Sequence, residues 1–418
     1  MRILFLNKRI LFPADFGGRI RTLNVLRHLA RWHEVTYLCN LQPEEGPHLA
    51  EMRELGLRLE TLPWRETPRE SLRFYGALAR NVLSPYPFNV NKDYDRRLRR
   101  RAAELLASEA YDLLICDFVQ MARNAVGLKA PARILFEHNV EAQIFQRHAQ
   151  SDRGLLRRAY MRHQWRKMRR FEGEAGRRFD AVIAVSRQDR ETFEREYGWR
   201  HVQVIGTAVD VDSFRPNATA EVPERLVFVG SMDWLPNRDG VAHFVANVWP
   251  AIREKRPLAT FQIVGRNPSP AVRQLGRVPG VEVVGTVPDT RPYLARAAVV
   301  VVPLRVGGGT RMKIYEAMAM AKPVVSTPLG AEGLDLNDGE HALLAESPAE
   351  FAGAVVRLLA DRPRRRALGV AARRLVVENY SAEAVARQFE AICRTTVESV
   401  SRGAVDRPSR KAQEATVG

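Results

Sequence analysis

Residues 299–321 of this 418-residue chain read VVVVPLRVGGGTRMKIYEAMAMA, and this stretch decides how the remainder is interpreted. The four valines predict a strand buried on both faces, as in a parallel sheet. Three glycines then interrupt the pattern, and the residues from Arg311 have the spacing of a helix that ends near Ala321. A strand, a glycine-rich loop and a helix in this order are typical of a phosphate-binding turn in an α/β domain.

The residue types in this loop favour an anionic ligand. Arg311 and Lys313 fall in the predicted first helical turn, where a cation opposes the helix dipole and is uncommon without an anion beside it. Glu316 lies one turn further, where its carboxylate can accept hydrogen bonds from sugar hydroxyls. The loop residues expected to wrap the phosphate or to cap the helix are Gly307, Gly308, Gly309 and Thr310. The alternative is a glycine-rich loop with solvated charges.

Short apolar runs alternate with helical patterns along most of the chain. The predicted strands of the first half are residues 2–6, 34–39, 57–62, 112–116, 133–137 and 180–185. Those of the second half are residues 225–230, 259–265, 281–285, 298–303, 322–326 and 341–345. Predicted helices include residues 19–31, 93–109 and 141–178. Two successive βαβ series predict an α/β fold of two Rossmann-like, doubly wound domains.

The predicted domain boundaries follow breaks in this pattern. Residues 1–205 form the first domain, and residues 206–224 form a linker that contains Pro216, Asn217 and Pro223. Residues 225–378 form the second domain, and 379–400 a helix that packs back towards the first. Residues 401–418 lack apolar periodicity and are expected to be disordered.

Composition and charge exclude some classes of protein. Hydrophobic residues make up 45% and charged residues 27%, as in an ordinary globular protein rather than a disordered one. The apolar runs are too short for a membrane span. The three cysteines have no metal-ligand spacing, so a reduced cytoplasmic location is expected. The net charge of +17 comes mostly from arginine and attracts phosphates of nucleotides, nucleic acids or anionic lipids.

Two positions in the first half are candidates for ligand contact. Gly17 and Gly18 precede the first helical pattern, and they form either an anion-binding turn or an ordinary tight turn. His138 follows the predicted strand that ends at residue 137, where its ring can bind a sugar hydroxyl or an acceptor. A lone histidine of this kind is also often structural.

Residues 313–319, KIYEAMA, followed by 322–327, KPVVST, resemble the donor-binding signature of glycosyltransferase family four. Further matching segments occur in the expected order at residues 17–18, 206–214, 228–231, 264–265 and 285–289. The resemblance implies a GT-B fold, in which two Rossmann-like domains face each other across a cleft. It also implies retaining, metal-independent transfer of a sugar from a nucleotide-sugar donor to an acceptor, with no cofactor. Gly17, Gly18 and His138 would then lie on the acceptor side.

The sequence departs from the family pattern at two places. Gly308 occupies the position of the first of two glutamates, so one carboxylate is absent. Ser231 follows Gly230 where the family often has an arginine. We therefore expect Arg311 and Lys313 to bind the diphosphate, with Arg238 assisting. The expected catalytic residues are Arg311, Lys313 and His138, and the expected donor-binding residues also include Gly230 and Glu316.

Two Asp-x-Asp motifs could in principle hold a divalent metal on a diphosphate. Residues 210–212 lie in the predicted linker, and residues 93–95 begin a predicted helix. Neither follows a strand in the place that such a site requires. We interpret the first as a turn and the second as a helix cap, and we predict no metal site.

The basic segment 157–178 has two interpretations. Its apolar and aromatic residues, among them Tyr160, Trp165 and Phe171, lean to one side of a helix. Such a helix either lies on an anionic membrane surface or packs on the core with a charged outer face. The five arginines in residues 96–101 have the same ambiguity. The first interpretation predicts a peripheral protein at the inner face of the cytoplasmic membrane, with a lipid-linked or polysaccharide acceptor.

Two other functional classes fit parts of the sequence. A sugar-nucleotide epimerase or hydrolase could use the same two-domain fold. A nucleic-acid-binding protein would account for the net charge but leaves residues 307–316 without a purpose, so no nucleic-acid partner is expected.

Overall fold

A computed structural model describes residues 1–14, 17–68, 71–151, 154–217, 219–306 and 311–405. The chain divides into two compact units. The first contains Met1–Gly206 together with the chain from Ala386 onward, and the second contains Thr207–Val385.

The described part of the first unit contains a seven-stranded parallel sheet. Its strands are β1 (Arg2–Leu6), β2 (Glu34–Leu41), β3 (Arg58–Pro63), β4 (Leu113–Asp117), β5 (Ala132–Phe136), β6 (Ala181–Ala184) and β7 (Val202–Val204). Their order is β3-β2-β1-β4-β5-β6-β7, so the direction of strand addition reverses between β1 and β4. Strand β4 is buried along its whole length, which explains its continuous apolar sequence. The three-residue strand β7 was not predicted.

Helices surround this sheet and refine the predicted boundaries. They are α1 (Gly17–Trp32), α2 (Leu49–Arg53), α3 (Leu72–Asn81), α4 (Phe88–Lys92), α5 (Arg96–Ser108), α6 (Ala122–Ala125), α7 (Glu141–Ser151), α8 (Leu155–Gly176) and α9 (Arg187–Tyr197). The single helix predicted over residues 141–178 was wrong, because α7 and α8 are separate helices. Helix α5 begins at Arg96 because the Asp95 carboxylate caps it, accepting a hydrogen bond from the Arg97 backbone N–H at 2.8 Å.

The described part of the second unit contains a six-stranded parallel sheet. Its strands are β8 (Arg225–Val229), β9 (Thr260–Val264), β10 (Val281–Gly285), β11 (Val299–Val302), β12 (Val324–Ser326) and β13 (Leu343–Leu344), in the order β10-β9-β8-β11-β12-β13. The predicted valine strand is β11, and all four side chains are buried. Two doubly wound parallel sheets confirm the predicted fold class.

The helices of the second unit, and the one that returns to the first unit, complete the fold. They are α10 (Leu235–Asn247), α11 (Trp249–Lys255), α12 (Pro270–Gln274), α13 (Arg291–Arg296), α14 (Met312–Ala319), α15 (Pro348–Ala360), α16 (Arg362–Tyr380) and α17 (Ala382–Val405). In the first unit, Phe389 of α17 packs on Phe136 with ring centroids 5.1 Å apart. Helix α17 extends to Val405, into the segment expected to be disordered, and residues 406–418 lie outside the described residues.

The segment expected as a linker contacts the second unit. The Val209 backbone forms a parallel bridge with Ser381, and the Glu221 carboxylate lies 2.7 Å from the Arg365 guanidinium. The Asp210 carboxylate accepts hydrogen bonds from the backbone N–H groups of Asp212 and Ser213. The first Asp-x-Asp motif therefore closes a turn, as expected.

Candidate functional site

The reversal of strand order in each sheet marks the place where an α/β unit usually binds its ligand. In the second unit the reversal lies between β8 and β11. Gly230 directly follows β8, and Arg311 and Lys313 follow β11 after the glycine-rich loop. Three of the predicted donor-binding residues therefore occupy the expected edge of this sheet.

Lys313 is held over Gly230 by a residue that the sequence did not assign to the site. Its Nζ donates a hydrogen bond to Asn237 Oδ1 at 2.6 Å and lies 4.4 Å from the centroid of the Phe228 ring. Asn237 Nδ2 in turn donates to the carbonyl oxygen of Ser231 at 2.7 Å. Asn237 is buried, so its amide fixes the position of the ammonium group.

The electrostatic surroundings of Lys313 favour an anionic ligand. Burial, and to a smaller extent the neighbouring Arg311, lower the pKa of Lys313 to about 7, although Glu316 acts to raise it. Burial raises the pKa of the Glu316 carboxyl, and the nearby Lys313 ammonium partly offsets that rise. A phosphate beside Lys313 would restore the charged form, because an opposite charge favours ionisation. The site is therefore prepared for a negative charge that comes from outside the chain.

Arg311 lies at the N-terminus of α14, with 2% of its surface exposed. It is the N-cap residue and not part of the first turn, which corrects the prediction. Its Nη2 donates to the carbonyl oxygen of Leu329 at 3.1 Å, and its guanidinium lies 6.0 Å from the Trp234 ring centroid. Burial lowers its pKa, while Glu332 raises it. The predicted residues Gly307, Gly308, Gly309 and Thr310 lie outside the described residues.

Arg238, the expected helper, lies on α10 next to Asn237 and is half-buried. Its Nε is buried and has no hydrogen-bond partner among the described residues. Within that part of the chain, the structure does not bring Arg238 into hydrogen-bond contact with Lys313.

Gly230→Ala is expected to weaken nucleotide binding about tenfold while the second unit stays folded. A Cβ atom there would stand 2.7 Å from Lys313 Nζ and 2.8 Å from Asn237 Nδ2. Both contacts are ends of flexible side chains, so the ammonium would move and the backbone would remain. Calorimetric titration with nucleoside diphosphates measures the effect. Gly276→Ala is the matched control, because its nearest neighbour would be 3.7 Å away. An unchanged dissociation constant in Gly230→Ala would contradict the assignment.

The first unit contains a second polar cluster at its own reversal point, between β1 and β4. His138 is buried, and its Nε2 lies 2.7 Å from Asp117 Oδ1 at the end of β4. Asp117 Oδ2 accepts hydrogen bonds from Asn7 Nδ2 at 2.6 Å and from Thr22 Oγ1 at 2.8 Å. Because a carboxylate accepts, Nε2 of His138 carries the proton and Nδ1 is left as an acceptor.

Arg21 completes this cluster, although no sequence pattern points to it. Its Nη1 lies 3.1 Å from His138 Nδ1, and its Nε is buried without a hydrogen-bond partner among the described residues. Burial lowers its pKa, while Asp189 and Asp117 raise it. Gly17 and Gly18 form the first turn of the same helix, α1. The structure thus places Arg21 beside His138 and on the same helix as Gly17 and Gly18. Of Arg21 and His138, only Arg21 has a buried nitrogen without a hydrogen-bond partner among the described residues.

The His138 ring is also fixed by aromatic contacts. Phe118 stacks on it with ring centroids 4.0 Å apart, and Phe136 lies 4.2 Å away on a tilted plane. Phe118 has a φ of 67°, in the left-handed region that non-glycine residues rarely occupy. Backbone strain of this kind persists where surrounding contacts hold it, and it clusters at functional sites.

Helix α8 contains most of the predicted basic segment, and the apolar residues at its two ends differ in burial. Met168 and Phe171 are buried in the core, as the packing interpretation requires. Leu156, near the beginning of the helix, is almost fully exposed. No helix among the described residues is both long and apolar enough to cross a membrane. Within the same residues, no group of three His, Cys, Asp or Glu side chains is arranged to hold a metal ion.

Comparison with known proteins finds matches over most of the chain. Residues 17–213 match the family model described as Glycosyltransferase Family 4, and residues 223–361 match Glycosyl transferases group 1. An uncharacterized 44.6 kDa protein in the cps region of Klebsiella pneumoniae is 20% identical over 387 residues, which covers 90% of this chain and 95% of that protein.

Solved structures share the fold at low sequence identity. Alr3699/HepE of Anabaena, crystallised with UDP, has a TM-score of 0.63 and 15% identity, with 94% of this chain and 100% of that chain covered. Sucrose-phosphate synthase of Thermosynechococcus elongatus has a TM-score of 0.61 and 19% identity, with 95% and 99% covered. At these identities the likeness establishes the fold alone.

Proposed function

Because this chain belongs to the family 4 glycosyltransferases, we propose that it transfers a hexose from a nucleoside-diphosphate sugar to a lipid-linked or polysaccharide acceptor, with retention of anomeric configuration. The observation that carries the proposal is Lys313. Its ammonium is fixed over Gly230, with Arg311 at the N-terminus of the same helix. Structures of Alr3699/HepE with UDP and with UDP-glucose support a donor of this class.

The residues of the second unit fit the demands of the reaction. Negative charge grows on the departing diphosphate as the sugar develops oxocarbenium character. Lys313, Arg311 and the backbone N–H groups at the start of α14 can stabilise that charge, so the proposal requires neither a divalent metal nor a cofactor. Glu316, half-buried one turn beyond Lys313, is proposed to accept hydrogen bonds from the donor sugar. Gly230 lets the diphosphate approach the backbone closely, and Arg238 is proposed to assist.

The acceptor side is assigned to Gly17, Gly18 and His138 of the first unit. The relative encoded in a cps region supports a role in cell-surface or exopolysaccharide biosynthesis. Such an acceptor grows on a membrane, so we place the enzyme in the cytoplasm, peripheral to the inner face of the cytoplasmic membrane.

The first experiment is calorimetric titration of metal-free protein with UDP, GDP and ADP, repeated on a Lys313→Met variant. We expect one of the three nucleotides to bind saturably to the wild-type protein and at least tenfold more weakly to the variant. The same titration with EDTA and with Mg²⁺ tests metal independence, and NMR of the product tests retention. Absence of binding by all three nucleotides would overturn the donor assignment.

Nucleotide binding is expected to weaken as the pH rises above 7. The bound diphosphate favours charged Lys313, whose pKa of about 7 in the free protein means that it loses its proton above that pH. Binding at pH 8 must therefore take up a proton, and the dissociation constant should rise by up to tenfold per pH unit. Titrations in two buffers of different ionisation enthalpy measure the proton uptake. Lys313→Met should bind weakly at every pH and show no such uptake above pH 7, whereas uptake equal to that of the wild type would refute the assignment.

A further inference from the structure

Several highly exposed apolar side chains of the first unit lie on the short helix α3 and just beyond its C-terminus, and Leu156 at the start of α8 is also highly exposed. Leu72 is 91% exposed, Leu83 is 92% exposed and Tyr75 is 58% exposed. Val82, which follows α3, is also exposed. Single exposed leucines are ordinary on protein surfaces, but a cluster of them usually indicates an interaction surface.

The spacing of these residues places them on one face. At about 100° per residue, Leu72, Tyr75 and Ala79 fall on one side of α3, and Leu83 continues it beyond the C-terminus. Arg73 and Arg80, seven residues apart, lie along one edge of that side. The helix therefore has an exposed apolar ridge bordered by arginines, which is the pattern of a helix that lies in a membrane interface.

The C-terminal end of α3 is fixed firmly to α8. Lys167 Nζ donates hydrogen bonds to the carbonyl oxygens of Asn81, at 2.6 Å, and of Val82, at 3.1 Å. Gln164 Nε2 donates to Asn81 Oδ1 at 2.9 Å. These hydrogen bonds fix the backbone directly before Leu83, so the Leu83 side chain is exposed to solvent in a fixed position.

The segments that form the ridge and its support on α8 carry an excess of positive charge, although Lys92 is paired with Glu66 and Arg169 with Glu196. Residues 71–92 and 154–171 contain ten Lys and Arg and no Asp or Glu. Arg162 and Arg166 of α8 are exposed, as are Arg73 and Arg80. A second copy of this chain would bring the same positive charge to the contact. A nucleic acid would satisfy the arginines but not the leucines, whereas an anionic bilayer satisfies both.

We propose that the ridge of α3, Leu72, Tyr75 and Leu83 with Arg73 and Arg80, docks the first unit onto an anionic lipid bilayer. The leucines enter the boundary between head groups and acyl chains, and the arginines bind lipid phosphates. The assignment concerns α3, together with the exposed start of α8, rather than the whole basic segment predicted from the sequence. It does not depend on the donor site.

Sedimentation of the full chain with vesicles tests the proposal. Wild-type protein should bind vesicles of 70% phosphatidylcholine and 30% phosphatidylglycerol, and should bind pure phosphatidylcholine at least tenfold more weakly. Leu72→Ser/Leu83→Ser should reduce binding at least tenfold, because two apolar side chains no longer enter the bilayer. Arg73→Gln/Arg80→Gln should reduce it about thirtyfold at low salt. Far-UV circular dichroism and thermal unfolding of each variant check that the protein is folded.

Matched controls separate the ridge from general surface properties. Leu258→Ser removes an exposed leucine of the second unit, and Arg362→Gln/Arg366→Gln removes two exposed arginines of α16. Both should leave binding within about twofold of wild type. Equal losses in the controls, or no loss in the α3 variants, would overturn the proposal. A lower sedimentation coefficient of Leu72→Ser/Leu83→Ser than of the wild type, both without vesicles, would also overturn it. That result would mean that a second copy of the chain covers the ridge in the wild type. Binding of random-sequence RNA to the wild type that is lost in Leu72→Ser/Leu83→Ser would overturn it as well.

Discussion

Replacing Lys313 with methionine is expected to lower the rate of sugar transfer by about a hundred- to a thousandfold, the usual effect of removing one preorganised charge from a site where negative charge develops. Lys313 Nζ is held by Asn237 and directed over Gly230, so it has little freedom to move away from a diphosphate. Methionine has a similar length and needs no hydrogen-bond partner. The variant therefore tests the charge rather than the packing.

The second unit should not be destabilised in Lys313→Met, and below pH 7 the variant should be more stable than the wild type. In the folded protein the pKa of Lys313 is about 7, which is below the usual value for lysine. Keeping the ammonium charged while it is buried therefore costs stability at any pH below the usual lysine pKa. The sign follows from proton counting: between pH 7 and 10 the unfolded chain binds more protons at this position, so its contribution to stability rises with pH. That pH dependence should disappear in the variant. Thermal unfolding at pH 6 and pH 9 measures it.

Lys322→Met is the matched control for Lys313→Met. Lys322 is also a largely buried lysine of the second unit, but its Nζ donates to the backbone carbonyl oxygens of Ala295 and Ala297. Its loss should lower the free energy of unfolding by about 1–3 kcal/mol and leave the turnover of the folded enzyme unchanged. Turnover of Lys313→Met within threefold of wild type would show that the donor site lies elsewhere.

The strands of both sheets were largely predictable because burial on both faces leaves a continuous apolar run. Residues 299–302, all valine, could hardly form anything other than a central strand. The strand β7 was missed because Val202–Val204 has three residues, one of them exposed, and too few for a pattern. The break between α7 and α8 was missed because the helical spacing continues on both sides of it.

The candidate site was predictable only where its residues are close in sequence. Lys313 and Arg311 lie in one motif with the glycine-rich loop, so their types and spacing were informative. Asn237 is 76 residues from Lys313, and no local pattern could show that its amide holds the ammonium. The role of Asn237 is therefore visible only in the tertiary structure.

His138 illustrates the opposite case, a residue that the sequence pattern singles out but whose surroundings it does not predict. A histidine after a strand suggested a ring that reaches a ligand. In the structure both ring nitrogens have partners within the first unit, Asp117 and Arg21. These partners lie 21 and 117 residues away. One signal was present: Asp117 is a carboxylate that directly ends an apolar strand at the reversal point of the sheet.

Asp117→Asn is expected to reduce transfer about a hundredfold, because it changes which nitrogen of His138, the proposed acceptor-side residue, carries the proton and breaks the contact of that ring with Arg21. The wild-type carboxylate accepts the Nε2 proton of His138, which leaves Nδ1 to accept a hydrogen bond from Arg21. An asparagine that keeps its acceptor oxygen towards Asn7 and Thr22 presents its NH₂ group to His138. The ring would then carry its proton on Nδ1, where it faces the guanidinium N–H groups. Arg21 would lose its support and turn away.

The pH dependence of transfer separates this positioning role from a purely structural one. Burial lowers the pKa of His138, Asp117 raises it and Arg21 lowers it. Below that pKa the imidazolium donates from both nitrogens, so the contact with Arg21 is lost and activity should fall as the pH decreases. Asp117→Asn should be impaired across the whole range. NMR of the histidine ring nitrogens should show the proton on Nε2 in wild type and on Nδ1 in the variant.

Thr22→Val is the control that decides between the two roles of the cluster. It removes one hydrogen bond to the same carboxylate and a 3.4 Å contact with His138 Nε2, but it keeps Asp117 as the acceptor that holds the proton of His138 on Nε2. Both variants should lower the free energy of unfolding, by about 1–3 kcal/mol each, because each disturbs a buried polar network. Only Asp117→Asn should lose transfer a hundredfold. Equal activity losses in the two variants would mean that Asp117 and His138 support the fold alone, and the acceptor-side role would then pass to Arg21 without them.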